Sequence, residues 1–183
     1  ARLENILREV LDFARPPHPR RDRVDVGSVL RRATEMLERE LQKRSIRINV
    51  QIPRDPVMVL GDAGRLRQVF HNLIQNAMDA MERVDTSSRF LSISLSCETD
   101  RQVAVTVEDT GGGFEADALE HVFEPFFTTK SHGTGLGLAI CQQIVRDHGG
   151  TLSITNKPER GATFTVRVPL LEKEVVNGEN PGC

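Results

Sequence analysis

The sequence contains no tryptophan and no tyrosine, so eight phenylalanines provide all of its aromatic side chains. It also lacks an excess of charge, with 24 basic and 26 acidic side chains. Domains that bind nucleic acid usually carry a basic excess, so this balance argues against a nucleic-acid partner. Long hydrophobic runs are missing too, because no apolar run approaches the roughly 20 residues that a membrane-spanning helix requires.

Cysteine is scarce. The three cysteines, Cys97, Cys141 and Cys183, are far apart and do not have the spacing of metal ligands. We therefore expect two small apolar side chains and one thiol in the tail, in a protein of a reducing compartment. The length, 183 residues, suits one domain of ordinary size with extra segments, and the start at Ala1 without a methionine suggests a fragment of a longer chain.

Proline and charge divide the chain into segments. Residues 1–15 have apolar side chains at helical spacing and predict an amphipathic helix, whose apolar stripe is expected to pair in a helical bundle or to pack on the chain's own domain. The basic, proline-rich stretch 16–25 follows as a connector, because proline ends a helix. Residues 26–171 form the main domain, and the polar tail 172–183 is expected to be flexible.

Hydrophobic periodicity orders the main domain as helix, strand, strand, with this unit repeated. The predicted helices run from Ser28, as N-cap, to about Arg44, from the cap Asp62 to about Val84, and from about 135 to 148. The predicted strands cover 46–52, 57–60, 91–97, 103–107, 152–156 and 162–168, with a hairpin turn at 98–101 and an irregular region at 109–134. Hairpin-linked strands with helices on one side indicate an α+β fold: a two-layer α/β sandwich whose mixed, mostly antiparallel sheet is covered by helices on one face.

Four patches of this domain suit a bound nucleotide. In the first, HNLIQNAMDAM at 71–81, Asn72, Asn76 and Asp79 are three and four residues apart and share a helix face. A carboxamide oxygen there can coordinate Mg²⁺, which prefers oxygen ligands. The alternative interpretation is a solvent-facing polar stripe.

The second patch, EDTGGGF at 108–114, places Asp109 at the end of a strand, before three glycines. A buried aspartate can accept a hydrogen bond from the exocyclic amine of adenine, and glycine lets the backbone approach a ligand closely. The alternative is an ordinary Asx-type turn.

The third patch, HGTGLGLAI at 132–140, runs from a loop into a helix, where free N–H groups favour phosphate. It matches neither a P-loop nor a dinucleotide fingerprint, so the phosphate interpretation depends on the other patches. The fourth patch, FEPFFTTK at 123–130, suggests a lid with docking phenylalanines, from which Lys130 could reach phosphate. Its alternative is a surface loop that phenylalanines pin to the core.

Taken in chain order, the four patches resemble the N, G1, F and G2 boxes of the sensor histidine kinases, with FEPFFTTK as the F box and HGTGLGLAI as the G2 box. That family shares its Bergerat-type ATP fold with gyrase, mismatch-repair ATPases and heat-shock chaperones. The resemblance covers about residues 23–170 and includes GATF at 161–164 as a third glycine motif. Residues 1–15 resemble the end of the second helix of the family's dimerization and phosphotransfer domain. The short lid followed closely by GTGLGLAI resembles the nitrogen-regulation and oxygen-sensing kinases more than the osmosensing group.

The resemblance implies ATP and Mg²⁺ as cofactors and assigns roles to individual residues. Asn76 would ligate the metal, Asn72 would line the triphosphate site, and Lys130 would act from the lid; these three form the implied catalytic set. Asp109 would hold the adenine amine, with Thr163 supporting it through water. The whole implied nucleotide site is Asn72, Asn76, Asp79, Asp109, Gly111, Gly113, Phe126, Lys130, Gly133, Thr134, Gly135, Leu136, Gly137, Leu138 and Thr163.

One position separates a kinase from a hydrolase. The hydrolysing members of the superfamily carry a glutamate four residues before the Mg²⁺ asparagine, as general base on water. Here that position is Asn72, whose carboxamide cannot accept a proton at neutral pH. A protein-histidine kinase is therefore favoured over an ATP-hydrolysing conformational clamp. A non-catalytic interaction module is a third alternative, disfavoured by the intact Asn76 and Asp109.

The phosphate acceptor is expected outside this chain. None of the five histidines, at positions 18, 71, 121, 132 and 148, has the family's acceptor context. We therefore expect ATP binding without autophosphorylation. The implied partners are a histidine-containing dimerization domain of the same protein, a homodimeric second copy and the receiver domain of a response regulator. The implied location is the cytoplasm, including the cytoplasmic part of a membrane-bound sensor.

Overall fold

A sheet covered by helices on one face builds the fold. The computed structural model describes residues 20–99, 101–130 and 133–171. The strands are β1 (Asp22–Asp25), β2 (Arg47–Gln51), β3 (Met58–Gly61), β4 (Phe90–Thr99), β5 (Gln102–Asp109), β6 (Thr151–Asn156) and β7 (Ala162–Pro169). The helices are α1 (Val26–Lys43), α2 (Ala63–Ala80), α3 (Ala116–His121) and α4 (Gly137–Asp147).

The main sheet has five strands in the order β2-β4-β5-β7-β6. Strand β2 runs parallel to β4, and the other neighbours, β4–β5, β5–β7 and β6–β7, are antiparallel. Strands β1 and β3 form a separate antiparallel pair. The predicted α+β fold, with hairpin-linked strands in a mixed and mostly antiparallel sheet, is confirmed.

The core lies between the sheet and the helices. Alternate residues of the central strands, such as Leu91, Ile93 and Val107, are fully buried on the helix side. The residues between them, such as Ser92 and Thr106, face away from the helices and are partly exposed. Helix α2 supplies a fully buried row to the same core: Leu66, Val69, Leu73 and Ala77. The polar side of α2 therefore points away from the sheet.

The start of the domain differs from the prediction. Asp25, not Ser28, is the N-cap of α1, because its carboxylate accepts the N–H groups of Gly27 (3.1 Å) and Ser28 (3.2 Å). The same carboxylate accepts the N–H of Val57 at 3.1 Å. Residues 22–25, predicted as the end of a connector, form strand β1, because buried Val24 pairs with Val59 of β3.

Other boundaries differ for local reasons. Helix α2 ends at Ala80, and the residues up to Val84 form a turn rather than more helix. The region predicted as irregular contains the short helix α3. Strand β2 was expected to be half buried, but Ile48 and Val50 are 38% and 39% exposed, because β2 is an edge strand. The predicted helix 1–15 and tail 172–183 lie outside the described residues.

A buried histidine joins the two helices that carry the site. His148, at the end of α4, accepts the N–H of Asp62 on Nε2 at 2.9 Å, and its Nδ1 lies 2.7 Å from the carbonyl oxygen of Ile144. A Cβ at Gly61 would lie 2.2 Å from the His148 ring, so the imidazole fits only against glycine. The start of α2, capped by Asp62 as predicted, is thereby fixed to the end of α4.

The cap at Asp25 predicts a specific loss of stability. Asp25→Ala should lower the free energy of unfolding by about 1–2 kcal/mol at pH 7, because α1 loses its cap and Val57 loses an acceptor. Burial raises the pKa of Asp25, but hydrogen bonds from Ser28, Val57 and Gly27 outweigh burial and hold the pKa below its ordinary 3.8. The stabilisation is therefore present above pH 3.8 and is lost as the pH falls through the lower pKa of the folded state. Urea unfolding across this range measures it.

Ser28→Ala is the matched control. The Ser28 hydroxyl donates to Asp25 but caps no N–H group of the helix, so its removal should lower the free energy of unfolding by less than half as much. Equal losses for the two variants at pH 7 would contradict the assignment of the cap to Asp25.

Candidate functional site

The four patches of the sequence meet at one end of the helix layer. Lys130, from the segment 123–130, contacts the polar side of α2. A Cβ on Gly137, the first residue of α4, would lie 3.9 Å from the amide nitrogen of Asn72. The turn after β5 packs on the end of α2, since a Cβ on Gly111 would lie 2.7 Å from the Cβ of Ala80. Helices α2 and α4 and these two loops therefore border one surface that carries all four patches, and we call this surface the cleft.

The polar face of α2 carries an ion-pair network. The ammonium of Lys130 donates to Asn76 Oδ1 at 2.8 Å and to Asp79 Oδ2 at 2.9 Å. The other carboxylate oxygen of Asp79 accepts from Arg44 at 3.0 Å and from Gln75 at 3.1 Å. Burial alone would raise the pKa of Asp79, but the hydrogen bonds from Lys130, Gln75 and Arg44 hold it below its ordinary value. This carboxylate stays charged and is oriented on both oxygens.

Asp109 is in the opposite situation. It is 1% exposed, and its Oδ1 accepts the N–H of Gly111 at 2.7 Å and, at 3.4 Å, that of Ala162. Its Oδ2 is buried and has no hydrogen-bond partner among the described residues. Burial raises the pKa of this carboxyl above its ordinary value, and the hydrogen bonds from Gly111 and Ala162 only partly offset the effect. An unsatisfied buried acceptor is unfavourable unless a ligand supplies a donor.

Two close backbone approaches build the walls of the cleft. Gly161 has φ +100°, and a Cβ there would lie 2.0 Å from the carbonyl oxygen of Asp109, so strand β7 can begin beside Asp109 only with glycine. Gly135 has φ +71°, and a Cβ there would lie 2.3 Å from the carbonyl carbon of Phe126. The Phe126 N–H donates to the Gly135 carbonyl at 3.0 Å, so the segment 123–130 crosses the loop before α4 backbone to backbone.

The segment 123–130 presents one phenylalanine to solvent and buries another. Phe126 has a left-handed backbone, with φ 70°, and its side chain is 66% exposed. Phe123 is partly buried against the core. The segment is pinned to the core at Phe123, as the surface-loop interpretation expects, while Phe126 and Lys130 lie on its accessible side. The lid interpretation stays a prediction.

The loop before α4 ends at an open helix terminus. Thr134 Oγ1 accepts the N–H of Leu136 at 3.3 Å, and no side chain within the described residues caps α4. Leu136 is 1% exposed and Leu138 packs against the core, so their side chains anchor the loop rather than line the cleft. Gly133 donates its N–H to the Lys130 carbonyl at 3.3 Å. The uncapped N–H groups and the helix dipole favour an anion at this end of α4.

Thr163 does not lie beside Asp109, and its predicted support of that residue is wrong. In the β5–β7 register, Thr163 pairs with Glu108, on the partly exposed face of the sheet. Asp109 belongs to the buried face, where Ala162 is its neighbour. The sequence contained a signal for the correct neighbour, because side chains alternate along a strand. Phe164 is a core residue, so Ala162, two residues earlier, lies on the same buried face and Thr163 lies on the other.

Two residues that support the site were not predicted from the sequence. Arg44, at the end of α1, holds Asp79 from 35 residues away in the chain. Asn156 accepts the N–H of Phe114 at 2.9 Å and donates to its carbonyl at 2.7 Å, which fixes the loop after Gly113, whose φ is +72°. Neither Arg44 nor Asn156 has a local sequence signal, because each contact joins segments distant in the chain.

The remaining reactive groups do not form a second centre in the described part of the chain. Cys141 is fully buried, and burial raises the pKa of its thiol to about 12. Among the described residues there is no group of three or more His, Cys, Asp or Glu side chains that could hold a metal ion. His121 is exposed and bonds Glu124, while His18 and His132 lie outside the described residues. None of the described helices is long and apolar enough to cross a membrane.

Comparison with protein families gives a match over most of the domain. The family of histidine kinase-, DNA gyrase B-, and HSP90-like ATPases matches residues 61–172. The sensor protein TdiS of Thauera aromatica is 36% identical over 167 residues, which are 90% of this chain and 30% of that protein. The sensor histidine kinase ZraS of Klebsiella oxytoca is 34% identical over 169 residues, 92% of this chain and 36% of that protein. The chain thus spans about a third of the length of these curated relatives.

Solved structures agree with this match. The nucleotide-free catalytic domain of histidine kinase ThkA superposes with a TM-score of 0.72 at 30% identity, covering 81% of this chain and 95% of that one. Full-length ShkA in complex with AMPPNP superposes with a TM-score of 0.80 at 27% identity, and the match covers 93% of this chain and 36% of that one. ThkA in complex with the response regulator protein TrrA superposes with a TM-score of 0.78 at 27% identity, and the match covers 93% of this chain and 48% of that one.

From the buried Oδ2 of Asp109, which has no partner among the described residues, we predict that this carboxylate lowers the free energy of unfolding of the empty domain. Asp109→Asn should raise the free energy of unfolding by about 1 kcal/mol at pH 7, because a buried charge becomes a neutral amide. Because the pKa of Asp109 is raised on folding, ionisation destabilises the native state as the pH rises from 3.8 through the higher folded pKa. The advantage of Asp109→Asn should therefore disappear below pH 3.8. Urea unfolding at pH 7 and pH 3.5 tests this.

Asp55→Asn is the control for the change of charge. Asp55 lies in the exposed connection between β2 and β3, so its replacement should leave the free energy of unfolding nearly unchanged at both pH values. An Asp109→Asn domain clearly less stable than the parent at pH 7 would refute the prediction.

Proposed function

This chain belongs to the family of histidine kinase-, DNA gyrase B-, and HSP90-like ATPases, and from that premise we propose that it binds ATP with Mg²⁺ and donates the γ-phosphate to a histidine of a dimerization domain. It is the catalytic ATP-binding domain of a sensor histidine kinase. The single observation that carries the assignment of the pocket is the buried Oδ2 of Asp109, which has no hydrogen-bond partner in the part of the chain that the structure describes.

Asp109 would select the base. The exocyclic amine of adenine is a hydrogen-bond donor of the kind that Oδ2 lacks, while Oδ1 stays held by Gly111. The raised pKa of this carboxyl fits a low-dielectric pocket, in which a hydrogen bond to the correct base counts for more than in water. Gly111 and Gly113 would shape the wall of the base pocket, with Ala162 beside Asp109.

The other end of the cleft suits a triphosphate and its metal. Asn76 Oδ1 is a hard oxygen ligand of the kind that Mg²⁺ prefers. Asn72 lies at the open N-terminus of α4, where it would line the phosphate path beside the loop that carries Gly133 and Gly135. When bound, Mg²⁺ would neutralise charge on the phosphates. Lys130 would act as a mobile cation from its flexible side chain.

The side chains of the cleft favour a kinase over the hydrolysing clamp, because Asn72, Asp79 and Asp109 are unsuited to activate water. Asn72 cannot act as a base on water, and Asp79 is held by Lys130, Arg44 and Gln75 rather than free to take a proton. A neutral imidazole acceptor already has its lone pair and needs no such base. Asp109, at the proposed base end, would bind the base rather than activate water.

The acceptor histidine and the receiver domain would come from elsewhere. Among the described histidines, His148 is buried with both ring nitrogens engaged. His71 lies on α2 itself and His121 is bonded to Glu124. We therefore place the acceptor on the dimerization domain of the full-length homodimer, in the cytoplasm, with a response regulator as the next partner, as in the ThkA–TrrA complex.

The pocket assignment predicts a loss of affinity at Asp109. Asp109→Asn should weaken ATP binding by about 10- to 100-fold, because an amide at Oδ2 can no longer accept from the base as a carboxylate does. Isothermal titration with Mg·ATP measures it. Thr163→Val is the matched control, because Thr163 lies on the opposite face of the sheet from Asp109. The ATP affinity of Thr163→Val should stay within about twofold of the parent value. Undiminished affinity in Asp109→Asn would refute the pocket.

The reaction predicts transfer only when the acceptor is supplied. With ATP labelled on the γ-phosphate, the chain alone should incorporate no label, whereas adding the separately expressed dimerization domain should give an acid-labile phosphohistidine. Phosphate release without the acceptor should be slow, because Asn72 stands where the hydrolysing members of the superfamily carry their general base. Rapid hydrolysis by the chain alone would favour the clamp, and labelling of the chain itself would refute the external acceptor.

A further inference from the structure

The ammonium of Lys130 lies where the proposed function puts a metal ion. Its Nζ is 2.8 Å from Asn76 Oδ1 and 2.9 Å from Asp79 Oδ2, so one cation bridges two oxygens that a divalent ion would also favour. The proposed metal ligand, Asn76 Oδ1, is thus already engaged by a positive charge of the same chain. Although each oxygen keeps a further lone pair, a divalent ion on the same two oxygens would lie close beside the ammonium, and repulsion between the two cations favours displacement of the first.

We propose that Lys130 and the divalent cation occupy this position in turn, and that Asp79 is the second residue of the cation site. This inference rests on the proposed function for the identity of the nucleotide, and it adds a competition within the chain. In the nucleotide-free state Lys130 neutralises the site. A cation that arrives with the phosphates displaces it.

The position is built independently of Lys130. Asp79 Oδ1 accepts from Arg44 and Gln75, and Arg44 is also paired with Glu40. When Lys130 leaves, these contacts keep the carboxylate in place and partly neutralised. Asn76 lies one turn earlier on the same rigid helix, with Ala77 and Met78 fully buried beside it. A site held this way needs no rearrangement to accept another cation.

The exchange requires the movement of one side chain only. The backbone of Lys130 is tied separately, with its N–H donating to Thr128 Oγ1 at 3.1 Å and its carbonyl accepting from Gly133 at 3.3 Å. The four-carbon stem is flexible, and the side chain is 42% exposed. The ammonium can therefore swing toward the phosphates while the segment 123–130 stays attached at Phe126 and Gly135.

Competition predicts that removing Lys130 makes the divalent cation more effective. We would follow binding of a fluorescent ADP analogue during a Mg²⁺ titration and take the Mg²⁺ concentration at half of the full effect. Lys130→Met should lower this midpoint by about threefold, the size that a half-exposed ion pair supports. Lys130→Arg, which keeps the charge, should stay near the parent value. Lys43→Met, an identical change in the exposed last turn of α1, should leave the midpoint unchanged.

The same titration separates competition from an independent phosphate contact. If Lys130 only touched phosphate, Lys130→Met would weaken nucleotide binding equally with and without Mg²⁺, and the midpoint would not move. An unchanged or raised midpoint therefore overturns the proposal. A Lys130→Arg midpoint as low as that of Lys130→Met would also overturn it, because the charge would then be irrelevant.

A measurement without nucleotide separates this proposal from the proposed function. Free Mn²⁺, followed by electron paramagnetic resonance, reports cation binding to the empty domain. Lys130→Met should bind Mn²⁺ more tightly than the parent chain, and adding Asn76→Ala should remove the gain. No gain in Lys130→Met overturns the exchange even if ADP binds, whereas a gain without any nucleotide binding supports the exchange and refutes the proposed function instead.

Discussion

The packing of helix α2 on the sheet is the constraint on which the site depends. Its fully buried row, represented by Leu66, Leu73 and Ala77, can face the strands only if the opposite side of the helix faces the cleft. The three- and four-residue spacing then brings Asn72, Asn76 and Asp79 to that side. The His148–Asp62 bond fixes the rotation and position of α2 relative to α4, and so sets the distance from these side chains to the open terminus of α4.

Two carboxylates at the ends of the cleft have opposite environments, and each end would therefore contribute differently to nucleotide binding. Asp109 is buried with one oxygen unpartnered, and burial raises its pKa. Asp79 is surrounded by donors that hold its pKa low. In the proposed complex, the first end gains a hydrogen bond that the empty domain lacks. The second end exchanges one cation for another, so base recognition supplies affinity while the phosphate end supplies dependence on the metal.

The sequence predicted what periodicity and glycine spacing control. The order of elements, the inner face of α2 and the meeting of the four patches follow from local patterns, and the structure has all of them. Strand β1 was missed because one buried side chain, Val24, gives no pattern. Thr163 was misplaced because an error of one residue in a strand reverses the face. The contacts of Arg44 with Asp79 and of Asn156 with Phe114 join segments 35 and 42 residues apart, which no local pattern reports.

The contrast between the two ends also bears on the energetics of the empty site. A cleft with several unpaired charges would tend to collapse or to fill with alternative partners. Here the charges of the phosphate end are paired with one another through Lys130, Arg44 and Glu40, and among the buried side chains of the described residues Asp109 alone keeps an acceptor without a partner. That acceptor is held by Gly111 and by the close approach of Gly161, so it cannot turn away to find another donor. The unfavourable free energy of the empty site is thereby confined to the one atom that would accept a hydrogen bond from the base. The paired charges in the rest of the cleft add little to that cost.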